Sequence, residues 1–404
     1  MTIENDRLPV LLIGGGMESR EVIMPTLFQE RRRGKIGWIG ISSLTGSVIQ
    51  GLRKYFPNEE FTGYPDPDKV DPDKEFPELF KEALDELPEG SLVIVAVPDH
   101  IHTTILLPAL ERGLDCIVEK PLCLLVEDAH KIIEAADEKA LYILTDYHKR
   151  HDRAVRAARA RYRKGDLGEL LHGHAWIEEK KEMPLKNFAA WAEKSSPFEY
   201  IGVHYVDAYY FITGLMPKRL AAFGQKKFLP TQGKDAFDAI QAVIEWEDGS
   251  VFWIQSSWVC PESNTALTNQ GLNLHGTKGE YWADHKNRNL SFTIDDTPYE
   301  HYNPNFFRPY DSWEEEGLVD WVGYGYESIQ QGIDDMVTIR QETKGLSEKE
   351  ALEKRRELLA KWENLRALPR QALIGVAVNE AVRLSIDNNS RYVGFDEKMY
   401  PKLL

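Results

Sequence analysis

Residues 9–19 read PVLLIGGGMES, and this stretch decides how the first part of the chain folds. Pro9 to Ile13 is a continuous apolar run of strand length, followed directly by Gly14, Gly15 and Gly16. Continuous aliphatic runs mark strands buried on both faces, as in a parallel sheet. A helix predicted from about Glu18 to Arg32 starts directly off the glycines. Gly14 permits a tight turn, and Gly16 lets the backbone approach a pyrophosphate. The helix N-terminus adds free N–H groups and a positive dipole. Ser19 stands where the third glycine of G-x-G-x-x-G would fall; a serine is small enough to keep helix and strand close.

Outward from that turn the alternation continues. Ile36 to Ser42 reads as a strand, Ser47 to Tyr55 as a helix and Glu75 to Asp85 as an acidic, solvated helix. Leu92 to Val97 is an all-aliphatic strand, Thr104 to Arg112 a helix and Asp115 to Val118 a strand. Val126 to Glu138 is a helix and Tyr142 to Thr145 a further strand. This series predicts a Rossmann-type doubly wound α/β domain over residues 1–150. After a helix from about Asp152 to Arg163 the pattern changes. Half-buried strands are expected from Leu170, and over Arg219 to Phe223, Ala239 to Glu245, Ser250 to Trp258 and Leu272 to Gly276. Glu247-Asp248-Gly249 is a hairpin signal between two of them. Helices over Tyr326 to Thr343, Glu348 to Leu365 and Gln371 to Asn388 complete the chain. The expectation for residues 151–404 is an α+β domain on an open, mostly antiparallel sheet, its last helices folding back on the first domain.

Composition narrows the function. The 404 residues carry a formal net charge of -16, which argues against nucleic acid and against an anionic membrane surface. The basic run Arg31-Arg32-Arg33 reads as a solvated helix end. Met1 to Val10 has no long apolar run, so neither a signal peptide nor a membrane span is expected there. Cys116, Cys123 and Cys260 form no disulfide framework and no metal-spaced pair, and read as buried thiols of a reducing, cytoplasmic protein. His172 and His174 share one strand face but lack a third ligand nearby, so no metal site is expected.

Strand two ends Gly40-Ile41-Ser42-Ser43, without the acid that usually holds the adenine ribose. Ser42 or Ser43 suits either ribose form, and NAD against NADP stays open, with NAD slightly preferred. Three clusters carry the chemistry. Val97-Pro98-Asp99-His100-Ile101-His102 and Val118-Glu119-Lys120-Pro121-Leu122 lie at the carboxyl ends of predicted parallel strands, where such folds bind ligands. Gly202-Val203-His204-Tyr205-Val206-Asp207 opens the second domain.

Together these resemble the Gfo/Idh/MocA family of oxidoreductases, over nearly the whole chain. Glu119-Lys120-Pro121 is the most specific piece, with the Pro98/His102 spacing, Gly202-x-His204-x-x-Asp207 and the segment Lys164 to Glu169 beside it. The resemblance implies hydride transfer between nicotinamide and a secondary alcohol of a sugar, glycoside or cyclitol, in an active site between the two domains. It places Lys120 near substrate and nicotinamide and makes His204 the proton acceptor. It also implies a cis peptide before Pro121. The chemistry agrees: a histidine near neutral pKa accepts the alcohol proton, and a lysine stabilises the developing alkoxide. Asp207, one helical turn beyond His204, shares its face and orients the ring.

The expected cofactor-binding set is Gly14, Gly16, Met17, Ser42, Ser43, Pro98, His102, Glu119 and Lys120, and the substrate set is Tyr147, His148, Trp191, Tyr200 and His204. Tyr200 occupies a place where many sugar-oxidising members carry Asp, and His148 one that often holds Asn. These departures leave open a lyase or hydrolase that retains NAD and oxidises its substrate transiently. A non-catalytic nucleotide- or sugar-binding protein is the third reading. An open sheet face favours a homodimer or homotetramer.

Overall fold

The computed structural model describes residues 7–296 and 300–404, so of the Met1 to Val10 stretch read for a signal peptide the part up to Asp6 lies outside the described residues. The chain forms two compact units. One comprises residues 1–123, 128–148 and 309–371, the other residues 124–127, 149–308 and 372–404.

The first unit is built on β1 (Leu8–Ile13), β2 (Ile36–Ser42), β3 (Thr62–Tyr64), β4 (Leu92–Val95), β5 (Asp115–Glu119) and β6 (Ile143–Asp146). They form one sheet in the order β3-β2-β1-β4-β5-β6, with every neighbour parallel. The strand order reverses between β1 and β4, the switch point at which doubly wound sheets bind ligands. β1, β4 and most of β5 are buried on both faces, as their uninterrupted aliphatic sequences require. Helices α1 (Met24–Arg32), α2 (Gly46–Tyr55), α3 (Leu79–Asp85), α4 (His102–Glu111) and α5 (Val126–Lys139) alternate with the strands. A wider π-type turn over Ser19–Ile23 precedes α1. The acidic helix read from Glu75 starts only at Leu79, because residues 75–78 form a bridge and turns instead.

The basic run at the end of α1 is not simply solvated. Arg31 pairs with Glu59, Arg32 with Asp320, and Arg33 with the buried Glu30. Gln29 donates to the Trp321 carbonyl at 3.0 Å and accepts from its N–H at 2.7 Å, so a side chain completes the pairing of a strand. That strand is β16 (Val319–Val322), paired with β15 (Arg308–Asp311). α8 (Tyr324–Thr343) and α9 (Glu348–Trp362) follow it within the same unit. Tyr142 donates to Asp335 on α8 at 2.9 Å, and Arg366 forks onto both oxygens of the same carboxylate.

The second unit carries an eight-stranded sheet ordered β12-β11-β7-β10-β9-β8-β17-β18. Its strands are β7 (Leu170–Lys180), β8 (Pro217–Gln225), β9 (Ala239–Trp246), β10 (Val251–Cys260), β11 (Thr268–Gly276), β12 (Glu280–Asp284), β17 (Val393–Phe395) and β18 (Pro401–Leu403). The short pair β13 (Ser291–Phe292) and β14 (Glu300–His301) stands apart. The sheet is antiparallel except where β7 runs parallel to β10. Burial alternates along β7, β9 and β10, the period of a sheet covered on one face. α7 (Val203–Thr213) lies against the covered face, where Tyr209 stacks on Trp246 and Phe252 at 4.5 Å each. α6 (Arg153–Arg163) packs beside it, and α10 (Pro369–Asp387) is tied to β8 by Ser385, which receives the Ala222 N–H. On the opposite face Trp253 and Trp282 stay 42% and 61% exposed, and His174 stacks on Trp253 at 4.5 Å. Among the described residues no helix is long and apolar enough to cross a membrane.

Candidate functional site

In the first unit the glycine turn ends β1 at the switch point. Gly14 has φ +118, and a Cβ there would stand 2.0 Å from the Ala96 carbonyl oxygen, so only glycine fits. A Cβ on Gly16 would meet nothing within 4 Å, which leaves open space where a pyrophosphate backbone can approach. That open cradle before a helix suits a dinucleotide. Met17, at the start of the helical segment, is half-buried. Ser42 is buried at the end of β2, and its carbonyl receives the Gly14 N–H at 2.8 Å. The Ser43 hydroxyl donates to the Thr45 carbonyl at 2.7 Å.

Pro98 precedes a short turn that leads into α4, and His102 is buried at its start. Its Nδ1 lies 2.7 Å from the Pro121 carbonyl and its Nε2 3.0 Å from that of Val97. Burial holds the ring below the ordinary histidine range, so it is neutral and donates to one carbonyl at a time. It therefore staples the end of β4 to the turn after β5. That turn contains the cis bond between Lys120 and Pro121.

Lys120, 9% exposed, sits among carboxyl groups. Glu119 ends β5 and Asp146 ends β6, directly opposed across the parallel pair. Glu18 approaches from the first helical turn beyond the glycines. Burial, with the negative charge of Asp146 next, lifts its carboxyl up to about 7, against the opposing pull of Lys120. Burial raises Asp146 to about 6 and drives Glu119 well above the carboxylate range. Residue order had singled out Glu119 but not Glu18 or Asp146. The available signal was that Asp146 ends the strand next to the one that Glu119 ends.

A stability test follows from Glu18. Its folded pKa lies above its unfolded value of 4.5, so the native state holds the proton more tightly. Stability is lost as pH rises from the unfolded value through about 7, and the full cost stands above that. Glu18→Gln is expected to unfold at the same denaturant concentration as the parent near the unfolded pKa. Well above the folded pKa it should gain about 1–2 kcal/mol, a figure reduced for a half-buried group. Equal stability of the two proteins across that window would remove the carboxyl from this environment.

In the second unit His204 opens α7 and is 4% exposed, and Asp207 lies one turn later. Both Asp207 oxygens are taken by Arg150. Its Nη2 lies 2.6 Å from Oδ1, and its Nε 2.9 Å from Oδ2. Arg150 went unassigned in the sequence because nothing local shows which carboxylate its fork meets, 57 residues on. Tyr200 and Trp191 are half-buried and form an aromatic wall. Phe188 stacks on Trp191 at 4.7 Å, Tyr200 lies edge-on to Trp191 at 5.2 Å, and Trp258 closes the group. Tyr147 is buried in the core of the first unit, and His148 lies over Tyr324 with ring centroids 5.6 Å apart.

Residues 10–147 match the family described as "Oxidoreductase family, NAD-binding Rossmann fold", and residues 155–282 match the "GFO/IDH/MocA C-terminal domain". The chain belongs to the Gfo/Idh/MocA family. Among curated Gfo/Idh/MocA relatives is the 2,7-anhydro-N-acetylneuraminate hydratase of Mediterraneibacter gnavus. It is 26% identical over 40% of this chain and 46% of its own length. The levoglucosan dehydrogenase of Pseudarthrobacter phenanthrenivorans is 22% identical over 61% of this chain and 70% of its own. The chain spans about half the length of the first three of the curated relatives it matches. A solved structure of myo-inositol 2-dehydrogenase from Lactobacillus plantarum shares the fold with a TM-score of 0.70. The two are 13% identical, over 97% of this chain and 100% of that one.

Proposed function

We propose that this Gfo/Idh/MocA protein is an NAD(P)-dependent oxidoreductase acting on a secondary alcohol of a sugar, glycoside or cyclitol. The observation that carries this reading is Lys120, buried at the carboxyl end of β5 among Glu18, Glu119 and Asp146, in the unit that holds the Gly14–Gly16 cradle. Gly14, Gly16 and the helix start hold the pyrophosphate, Ser42 and Ser43 face the adenine ribose, and Met17, Pro98 and Glu119 line the nicotinamide end. Bound there, the nicotinamide supplies the hydride acceptor. Lys120 polarises the alcohol oxygen and His204 accepts its proton. Asp207 acts on the site through Arg150, and His102 positions Lys120 through the Pro121 carbonyl. Trp191 and Tyr200 offer apolar rings to a sugar face, with Tyr147 and His148 supporting the same ligand.

Residues 1–150 serve as the dinucleotide-binding domain, to which residues 309–371 add helices. Residues 151–404 otherwise bind substrate and mediate assembly. The exposed Trp253 and Trp282 mark the open sheet face as the contact of a homodimer or homotetramer. Three buried thiols, Cys116, Cys123 and Cys260, suit the reducing cytoplasm.

A second reading has support in the hydratase relative. In that reading this chain keeps its dinucleotide bound and the net reaction is redox-neutral. Acid release of nucleotide from freshly purified protein, followed by exchange against added NAD(H) and NADP(H), separates the two. The expected result is nucleotide that exchanges freely, with NAD favoured. Nucleotide that does not exchange would support the redox-neutral reading, and no binding of either form would overturn both.

A further inference from the structure

The carboxyls around Lys120 have chemistry of their own. Two carboxyl groups can hydrogen-bond to each other only when one of them carries a proton. Glu119 and Asp146 are placed for this, their backbones in register at the ends of β5 and β6 and both carboxyls raised by burial. A pair of this kind ionises as a unit, keeping its last proton far above the usual carboxylate range. Glu119 Oε1 and Asp146 Oδ1 are buried without a hydrogen-bond partner among the described residues, and Asp146 is only 2% exposed. The pair therefore has an unused acceptor in a site that already contains an ammonium group.

We propose that Glu119 and Asp146, with Glu18, form a proton store that takes the substrate's hydroxyl proton by way of Lys120. This rests on the oxidoreductase reading and differs from it in the destination of the proton, which goes to Lys120 and the carboxyls in place of His204.

The balance is simple. A Lys120 ammonium N–H bond breaks as an O–H forms on a carboxylate of the cluster. The nitrogen lone pair freed in that way forms a new N–H as the alcohol O–H breaks. Lys120 ends with the charge it began with, and the cluster has gained one proton. The hydride, with its electron pair, leaves by the route already given. Reduction runs the same transfers backwards.

The charges facing the cluster fit a store that works near neutral pH. Glu18, Glu119 and Asp146 face one another and Lys120; Glu21 adds a further negative charge beside Glu18. His102, close enough for Lys120 to act on it, is neutral, and Asp99 lies on its other side. Burial and mutual repulsion hold Glu18 at about 7, and burial holds Asp146 at about 6. An acceptor matched to the working pH transfers protons best in both directions.

Asp146→Asn keeps the shape and removes one charge from the cluster. Three measurements on the full chain decide the matter: infrared titration of protonated carboxyl from about pH 5 to about pH 9, the pH profile of kcat for alcohol oxidation, and NADH affinity by fluorescence. In the parent, a protonated-carboxyl band should persist at neutral pH and fade above it. Asp146→Asn should diminish that band and lower kcat by about 100-fold. It should also move the acidic limb of the profile to lower pH, because Glu18 and Glu119 lose a repelling neighbour. NADH affinity should stay within about threefold.

Absence of the band in the parent at neutral pH overturns the store, and so does a pH profile of Asp146→Asn that coincides with the parent's. If Asp146→Asn does not fold, Glu18→Gln carries the same test, with a drop of about tenfold and the same direction of the limb. A parent that shows the band but neither binds NADH nor oxidises any polyol overturns the oxidoreductase reading instead.

Discussion

Lys120→Ala is expected to lower kcat for alcohol oxidation by about 10²–10⁴-fold while NADH binds within about threefold of the parent. The lysine occupies the carboxyl end of β5, one residue past a strand buried through Val118, so its backbone is set by the sheet rather than by a loop. Its side chain is 9% exposed and sets a cationic group among Glu18, Glu119 and Asp146. A cation held there meets the developing alkoxide without reorganising water, which is where electrostatic catalysis is strongest. Alanine removes the charge and the proton carrier together but leaves Gly14, Gly16 and the helix start in place. Cofactor affinity should therefore survive. Steady-state kinetics beside a fluorescence titration of NADH reads both quantities. Full turnover in the variant would take Lys120 out of the mechanism. Loss of NADH binding along with activity would make its role one of holding the cofactor or the fold.

The largest stability effect is expected at Asp207. Replacing it with Ala should cost about 3–5 kcal/mol, read as a lower urea midpoint of the second unit. Arg150 and Asp207 side chains are 6% and 2% exposed, and the fork engages both oxygens. Removing the carboxylate strands a guanidinium in a dry site. Arg159 worsens matters: burial, then the charges of Arg163, Arg150 and Arg156, already push its own pKa down to about 10. Replacing both partners with apolar residues of similar volume should recover most of the loss, because neither charge is then left alone. A midpoint unchanged in Asp207→Ala would show that the pair contributes nothing to stability. A double replacement as unstable as the single one would mean that packing, not charge, sets the cost.

Strands were legible where their burial was two-sided. Ile36–Ser42 runs as read, and β1, β4, β5 and β6 lie within two residues of their expected bounds, because a parallel strand shows its burial as an unbroken aliphatic run. The short β3 (Thr62–Tyr64) and β12 (Glu280–Asp284) were not read, since three to five mixed residues carry too little period. The parallel pairing of β7 with β10 was equally hidden. Alternation shows which face of a strand is covered and says nothing of its neighbour's direction. In the same way Gly14, Gly16, Lys120 and His204 announce themselves by motif, whereas Glu18, Asp146 and Arg150 do not.

By itself the amino-acid sequence determined the nucleotide-type sheet, the mostly antiparallel second sheet and the residues that motifs name, because local pattern and spacing encode burial and turn geometry. Only the tertiary structure decided which charges meet. Glu119 faces Asp146 because two strands end level, and Glu18 joins them because the glycine turn brings the first helix to the same edge of the sheet. Asp207 is bonded to Arg150, 57 residues away, where the sequence had suggested only its neighbour His204. Such pairings depend on through-space distance and on exclusion of water. Both are properties of the packed chain, not of the order of its residues.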